Sequence, residues 1–200
     1  MRFKFAFWVL LALAIGLAGC GGSPFKFHGT QLQPPLSVPD LALTNQDGQT
    51  ARLTDYHGKL VLLFFGYTHC QDACPLTLAE FKNIRDGLGA DAARVRFVFV
   101  TVDPLRDTPE QLKEYLAQFD SSFIGLTGSS AALTVMYRAY GVGVEKILAA
   151  EHSPSGMSAT LDHTSSVYLL DDQSQVRLIY TDIPWQDMAA DIRFLLNKQG

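Results

Sequence analysis

Six apolar residues in a row, Leu60 to Phe65, run straight into a polar turn and then into a segment with helical spacing. A continuous apolar run of this length is what a central strand covered on both faces requires. The turn from Gly66 to Pro75 reads GYTHCQDACP and sets Cys70 and Cys74 between strand and helix. Beyond it Leu76, Leu78, Phe81, Ile84 and Leu88 recur at mostly three- and four-residue steps, which predicts a helix from Ala73 to Leu88 with those residues on its apolar face. Two thiols at the end of a buried strand and the start of a helix suit either redox chemistry or a soft metal.

The rest of the chain alternates in the same way. Leu41 to Thr44 and Thr50 to Leu53 flank NQDG, whose Asp-Gly pair is a hairpin signal. A second strong strand, Val95 to Val102, leads into DPLRDTP, where Thr108 is the expected N-cap, Pro109 the first helical residue and Gln111 the capping-box partner of a helix reaching Phe119. Phe123 to Leu126 reads as a short strand, and Ser129 or Ser130 opens a helix to about Tyr140. Gly141 to Leu161 is weakly patterned; Thr164 to Leu170 and Gln175 to Tyr180 form a hairpin, and Pro184 starts a last helix. Strands alternating with helices define an α/β domain with a mainly parallel core sheet. The order is that of a thioredoxin-like fold with an N-terminal β-hairpin extension and an insertion before the C-terminal β-hairpin.

Residues 1–19 stand apart. A basic start, Met1 to Lys4, precedes an unbroken apolar and small-residue run from Phe5 to Ala18, too short for a membrane span of about 20 residues but right for a signal-peptide core. The run ends at LAGC, a pattern that resembles a bacterial lipoprotein signal with Cys20 as the lipidated residue. Cleaved or retained, the segment exports the domain and tethers it to a membrane, on the periplasmic or extracytoplasmic face of a bacterial cell envelope. There, paired thiols oxidise unless they are reduced or metal-bound. Residues 20–36 read as a flexible tether in which His28 is a solvated side chain, and residues 37–200 as the domain. Loss of Arg2 and Lys4 moves the net charge from −4 to −6. A mildly acidic domain without a basic patch excludes nucleic acid as the main partner.

Helical amides favour negative charge at the helix N-terminus, so a thiolate there is stabilised whether it serves as nucleophile or as ligand. Zinc prefers four ligands in structural sites, whereas copper(I) accepts two thiolates with or without an imidazole. A distant histidine is therefore the discriminating residue. His163 stands at the start of the strand that, in a thioredoxin-like fold, faces the helix carrying the cysteines. His69 is nearer in sequence but diverges from Cys70 and supports the turn, and His152 has no comparable placement. Thioredoxins set a cis-proline opposite their dithiol, but residues 155–167 contain no proline. That difference points from general disulfide exchange toward metal binding.

Four stretches in order carry a family resemblance: GYTHCQDACP from Gly66, VDPLRDTPE from Val102, GLTG from Gly125, and Asp162-His163. Together they resemble the Sco/SenC family over about residues 36–198. Those proteins are membrane-tethered, thioredoxin-like copper proteins linked to assembly of the dicopper centre of cytochrome c oxidase. By position, the resemblance implies Cys70, Cys74 and His163 as copper ligands, with copper(I), copper(II) or both as the bound ion. Asp162 orients the His163 loop, while Asp103, Arg106 and Asp107 shape the rim or serve as turn and cap residues. Gln71 stands where the family often has proline after the first cysteine, which alters the rigidity of the turn and leaves the ligands intact.

The leading expectation is a copper metallochaperone that receives the metal, with other copper chaperones as partners, and passes it to a subunit of cytochrome c oxidase or a similar cuproprotein. The alternative is a thiol-disulfide oxidoreductase that uses Cys70 and Cys74 on the cysteines of the same target. A thiol peroxidase is a third reading, weaker because its cysteine sits in a different turn context.

Overall fold

Strand β4 (Leu60–Gly66) is the centre of the molecule because all seven of its residues are buried. The computed structural model describes residues 25–143 and 166–198. In it β4 lies between parallel β5 (Val95–Thr101) and antiparallel β7 (Val167–Leu170). β6 (Ile124–Thr127) continues the parallel core beside β5. Beyond it sit β2 (Leu43–Asn45) and β3 (Thr50–Ala51), the predicted N-terminal hairpin. On the other side β8 (Val176–Tyr180) pairs antiparallel with β7, and β1 (Thr30–Leu36) closes the edge. The eight strands thus run β1-β8-β7-β4-β5-β6-β2-β3.

Among the described residues four α-helices cover the sheet: α1 (Ala73–Leu88), α2 (Pro109–Ala117), α3 (Ser130–Tyr140) and α4 (Trp185–Lys198). Alternation along the strands sorts them by face. Phe97 and Phe99 meet Phe81 of α1 and Tyr115 of α2 at ring separations of 5.6 and 6.0 Å. Phe65 points the other way, into Tyr137 and Tyr140 of α3 and Tyr168 of β7, with rings 5.1–6.0 Å apart. Each such edge-on pair adds about 0.5–1.5 kcal/mol beyond the area it buries. The caps follow the sequence. Thr108 Oγ1 accepts the Gln111 amide at 3.3 Å behind Pro109, and Ser129 Oγ accepts the Ala132 amide at 3.2 Å. Gly141 closes α3 in the left-handed region at φ 71°, where a side chain would strain the backbone. This is the thioredoxin-like α/β architecture that the element order implied.

Three expectations are corrected. The predicted tether does not extend to Leu36, because Thr30–Leu36 forms β1 and joins the sheet at Thr30, Gln31 and Leu36. Pro34 and Pro35 supply no N–H for a ladder, which obscures the strand in the sequence and is tolerated only because β1 is an edge. His28 is not a free solvated side chain, since its ring and amide both engage Asp191 of α4. Leu76 leaves the buried face of α1 and is 64 % exposed. Residues 1–24, with Cys20, and most of the predicted insertion lie outside the described residues. Among the described residues no helix is long and apolar enough to cross a membrane.

Candidate metal centre

The two cysteines take the positions that strand-to-helix geometry assigns. Cys70 sits in the turn, its amide donating to Tyr67 O at 3.2 Å, and Cys74 sits in the first turn of α1. Asp72 occupies the N-cap position without a side-chain cap, so α1 starts with amides turned toward the sulfurs rather than toward a carboxylate. The Cys74 amide donates to Cys70 Sγ at 3.3 Å. Both thiols are free, Cys70 half-buried and Cys74 buried.

The pair is electrostatically asymmetric. A hydrogen bond from the Cys74 thiol, opposed by burial and aided by the Cys74 and Asp72 amides and by Tyr67, brings the Cys70 thiol down to about 6. The same bond, with burial and the Cys70 charge, pushes the Cys74 thiol far up. The resting state is therefore one exposed-side thiolate hydrogen-bonded by one buried thiol. Sulfur donors of this kind suit a soft, thiophilic ion, and loading both would release the Cys74 proton.

Backbone fit keeps Cys74 where it is. A Cβ on Gly66 would stand 2.8 Å from Cys74 Sγ and 2.7 Å from the Phe99 ring, so only glycine lets the sulfur settle over the end of β4. Behind Phe99 lies Tyr115, whose hydroxyl is buried without a hydrogen-bond partner. Burial, with the charges of Cys74, Cys70 and Asp107 adding to it, pushes the Tyr115 phenol up.

The other sequence candidates are placed unevenly. His69 is half-exposed; its Nδ1 lies 3.1 Å from Thr68 Oγ1, the turn-supporting position expected of it. Asp103 is buried beside Arg106, and its amide donates to Thr101 Oγ1 at 2.9 Å. Asp107, read from sequence as a rim or cap residue, has no exposed surface and reaches the cysteine turn directly. It accepts the Thr68 amide at 3.1 Å and hydroxyl at 2.6 Å, and the Thr101 hydroxyl at 2.5 Å. His163 and Asp162, with His152, lie outside the described residues. Among the described residues no three metal-ligating side chains converge. The motif reading included Gly66 and gave Asp107 a rim or cap place, but it missed the packing role of the first, the direct hold of the second on the turn, and Tyr115 altogether. The glycine before the dithiol was a visible signal, but the other two are joined to it only through space.

A thioredoxin-like sheet with a free dithiol at the N-terminus of the helix after its central strand defines a thiol-based redox or metal protein. The SCO1/SenC family model matches residues 30–197, and the chain belongs to that family. It is 34% identical over 160 residues to a SCO2-like protein of Rickettsia conorii, covering 80% of this chain and 75% of the relative. ScoI of Bradyrhizobium japonicum, solved with copper bound, is similar at TM-score 0.66 and 33% identity, over 80% of this chain and 99% of that one. BsSco, described as having a disulfide switch and as a member of the Sco family of cytochrome c oxidase assembly proteins, is similar at TM-score 0.65 and 25% identity, over 84% of this chain and 97% of that one.

Proposed function

We propose that this chain is a copper metallochaperone, lipid-anchored through Cys20 to a membrane of the bacterial cell envelope, that supplies copper to the dicopper centre of cytochrome c oxidase. The observation that carries the reading is the free Cys70–Cys74 pair on the N-terminus of α1, with one sulfur already poised as thiolate. Copper is cargo here. The Cys70 thiolate captures it, Cys74 gives up its proton to join, and His163 supplies the third donor. Transfer proceeds by ligand exchange onto the target's own thiolates. Oxidation of the pair to a disulfide removes two electrons and both sulfur donors, which couples loading to redox state.

A second reading, thiol-disulfide oxidoreductase, is favoured by the asymmetry of the pair. Cys70, as the thiolate, attacks a target disulfide and releases one target thiolate. Cys74, once deprotonated, attacks Cys70 Sγ, releasing the second target thiol and leaving the Cys70–Cys74 disulfide. The test is copper stoichiometry and affinity in the chain and in Cys70→Ser, Cys74→Ser and His163→Ala. Tight binding lost in both serine variants and weakened in the alanine variant supports the metallochaperone. Tight binding retained by either serine variant refutes the two-thiolate site. Unchanged affinity and ligand spectrum in His163→Ala remove the third ligand and put the reductase ahead.

A further inference from the structure

Asp107 is charged in character, lies outside the cysteine turn in sequence, and has no exposed surface. Placing a carboxylate there costs several kcal/mol unless donors replace its water. The donors come from two separate parts of the chain. Thr101 ends β5 and donates its hydroxyl at 2.5 Å. Thr68, two residues before Cys70, donates its hydroxyl at 2.6 Å to one carboxylate oxygen and its amide at 3.1 Å to the other. The Thr68 hydroxyl is also 3.1 Å from His69 Nδ1, and that nitrogen is 4.0 Å from Asp107. The Asp107 amide donates to Asp103 O at 2.9 Å, which closes the DPLRD loop on itself and presents the carboxylate to the turn.

The span from Thr68 to Asp72 is also held from within. The Cys70 amide donates to Tyr67 O at 3.2 Å, and its sulfur accepts the Cys74 amide and is also bonded by the Asp72 amide and by Tyr67. Its neighbours His69, Gln71 and Asp72 are exposed. Asp107 therefore fixes the near end of the loop from outside it, while α1 fixes the far end.

We infer that Asp107 is the positioning residue of the dithiol: its carboxylate clamps the Thr68 end of the turn to β5 and so sets the reach of Cys70 toward Cys74. The role is geometric. A side chain of the same shape that can accept from Thr68 and pair with the Thr101 hydroxyl does the same work without charge. Asparagine meets that description, because its oxygen accepts the Thr68 amide and its NH2 donates to the Thr101 hydroxyl oxygen. Alanine does not. The copper arm of the inference rests on the metallochaperone reading, whereas the redox arm stands without it.

The experiment compares the full chain with Asp107→Ala, Asp107→Asn and Thr68→Val, each checked for a cooperative thermal transition. Two quantities are read: the reduction potential of the Cys70–Cys74 couple in metal-free protein, and copper affinity with the sulfur-to-copper absorption spectrum. Residues that orient ligands cost about 10–100-fold in metal affinity when removed. Asp107→Ala is expected to lose that much and to alter the spectrum. Its thiol-disulfide equilibrium should shift by at least tenfold, which is about 30 mV for a two-electron couple. Asp107→Asn should recover most of both, and Thr68→Val, which removes one hydroxyl contact, should fall between. A folded Asp107→Ala with an unchanged potential overturns the inference, as does equal damage in the asparagine and alanine variants. If Asp107→Ala fails to fold, an unchanged potential in Thr68→Val overturns it alone. Failure of copper binding in the unaltered chain sinks the metallochaperone reading instead and leaves the potential to decide on Asp107.

Discussion

His28 Nδ1 lies 2.8 Å from Oδ1 of Asp191, a carboxylate with no exposed surface, and 163 residues separate the two in the chain. The same carboxylate accepts the amides of His28 at 3.0 Å and Gly29 at 3.1 Å. Phe25 stacks on Phe194 at 3.9 Å one turn further along α4, and Lys198 lies 4.7 Å from the centre of that ring. The stretch from Phe25 to Gly29 is thus fastened to α4 before the chain enters the sheet as β1. The domain begins earlier than composition alone places it.

That contact has a pH signature. The hydrogen bond to Asp191 is the main influence on His28; the charges of Asp191 and Asp187 add to it, burial opposes it, and the net pKa is raised from its usual 6.5. A raised pKa means protonated His28 prefers the folded state. Its contribution is fully present below about 6.5 and is lost as pH rises through the higher folded value. Unfolding of the chain and of His28→Gln at several pH values between 6 and 8 should show the difference in stability shrinking as pH rises. The difference isolates His28 from Cys70, whose lowered pKa works in the opposite direction over the same window. A difference independent of pH would remove the ion pair from the account. Asp191→Ala should cost more at every pH, because it leaves two backbone amides without their acceptor, each worth about 1–3 kcal/mol when buried.

Selective alkylation follows from the asymmetric thiols. Iodoacetamide at pH 7 should modify Cys70, held at about 6, and spare the buried Cys74. The rate should fall with a midpoint near pH 6 as the thiolate is protonated. In Cys74→Ala the largest stabilising hydrogen bond is gone, so the midpoint should move up toward the ordinary thiol range. Mass spectrometry of the labelled peptides reads both, and equal labelling of the two cysteines in the unaltered chain would contradict the arrangement.

Gly66 is a packing prediction. Alanine there would put a methyl 2.8 Å from Cys74 Sγ and 2.7 Å from Phe99, closer than van der Waals contact permits. Overpacking of this kind costs about 1–3 kcal/mol, and here the atom best able to move is the sulfur. Gly66→Ala should lower the thermal midpoint and weaken copper binding together. Weaker binding with full stability would mean that the sulfur alone yields, and no change in either would show that the strand end is more adaptable than the fit implies.

What could be read from the sequence was local. The bounds of α1, the caps at Thr108 and Ser129, the Asp171–Ser174 hairpin turn and the placement of the cysteines each depend on neighbours within a few residues. The β1 edge was hidden because Pro34 and Pro35 cannot hydrogen-bond as a strand should, and its pairing with β8 is decided 140 or more positions away. Asp107 could be read only as a rim, turn or cap residue because its partners, Thr68 and Thr101, meet it only once β4 and β5 lie side by side. Leu76, first of the residues expected on the apolar face of α1, stands two positions before Leu78, a step of about 200° at 3.6 residues per turn. It therefore faces outward from the stripe that Leu78, Phe81, Ile84 and Leu88 form.

Two tyrosines test how the site's surroundings are balanced. Tyr115 packs on Phe99 on the dithiol's side of the sheet and Tyr137 on Phe65 on the other, and of the two only Tyr137 places its hydroxyl on an acceptor, Thr101 O at 2.7 Å. Tyr115 Oη is buried with none. Removing a satisfied hydroxyl strands the carbonyl it served, and a typical bond is worth about 1 kcal/mol. Removing an unsatisfied one relieves the cost of having dehydrated it. Tyr137→Phe should therefore lose about 1 kcal/mol of unfolding free energy, whereas Tyr115→Phe should be neutral or stabilising in metal-free protein. Denaturant titration of both variants reads the contrast directly. Destabilisation of Tyr115→Phe equal to that of Tyr137→Phe would show that its hydroxyl is engaged after all, and the thiols in front of it would be the first partners to test.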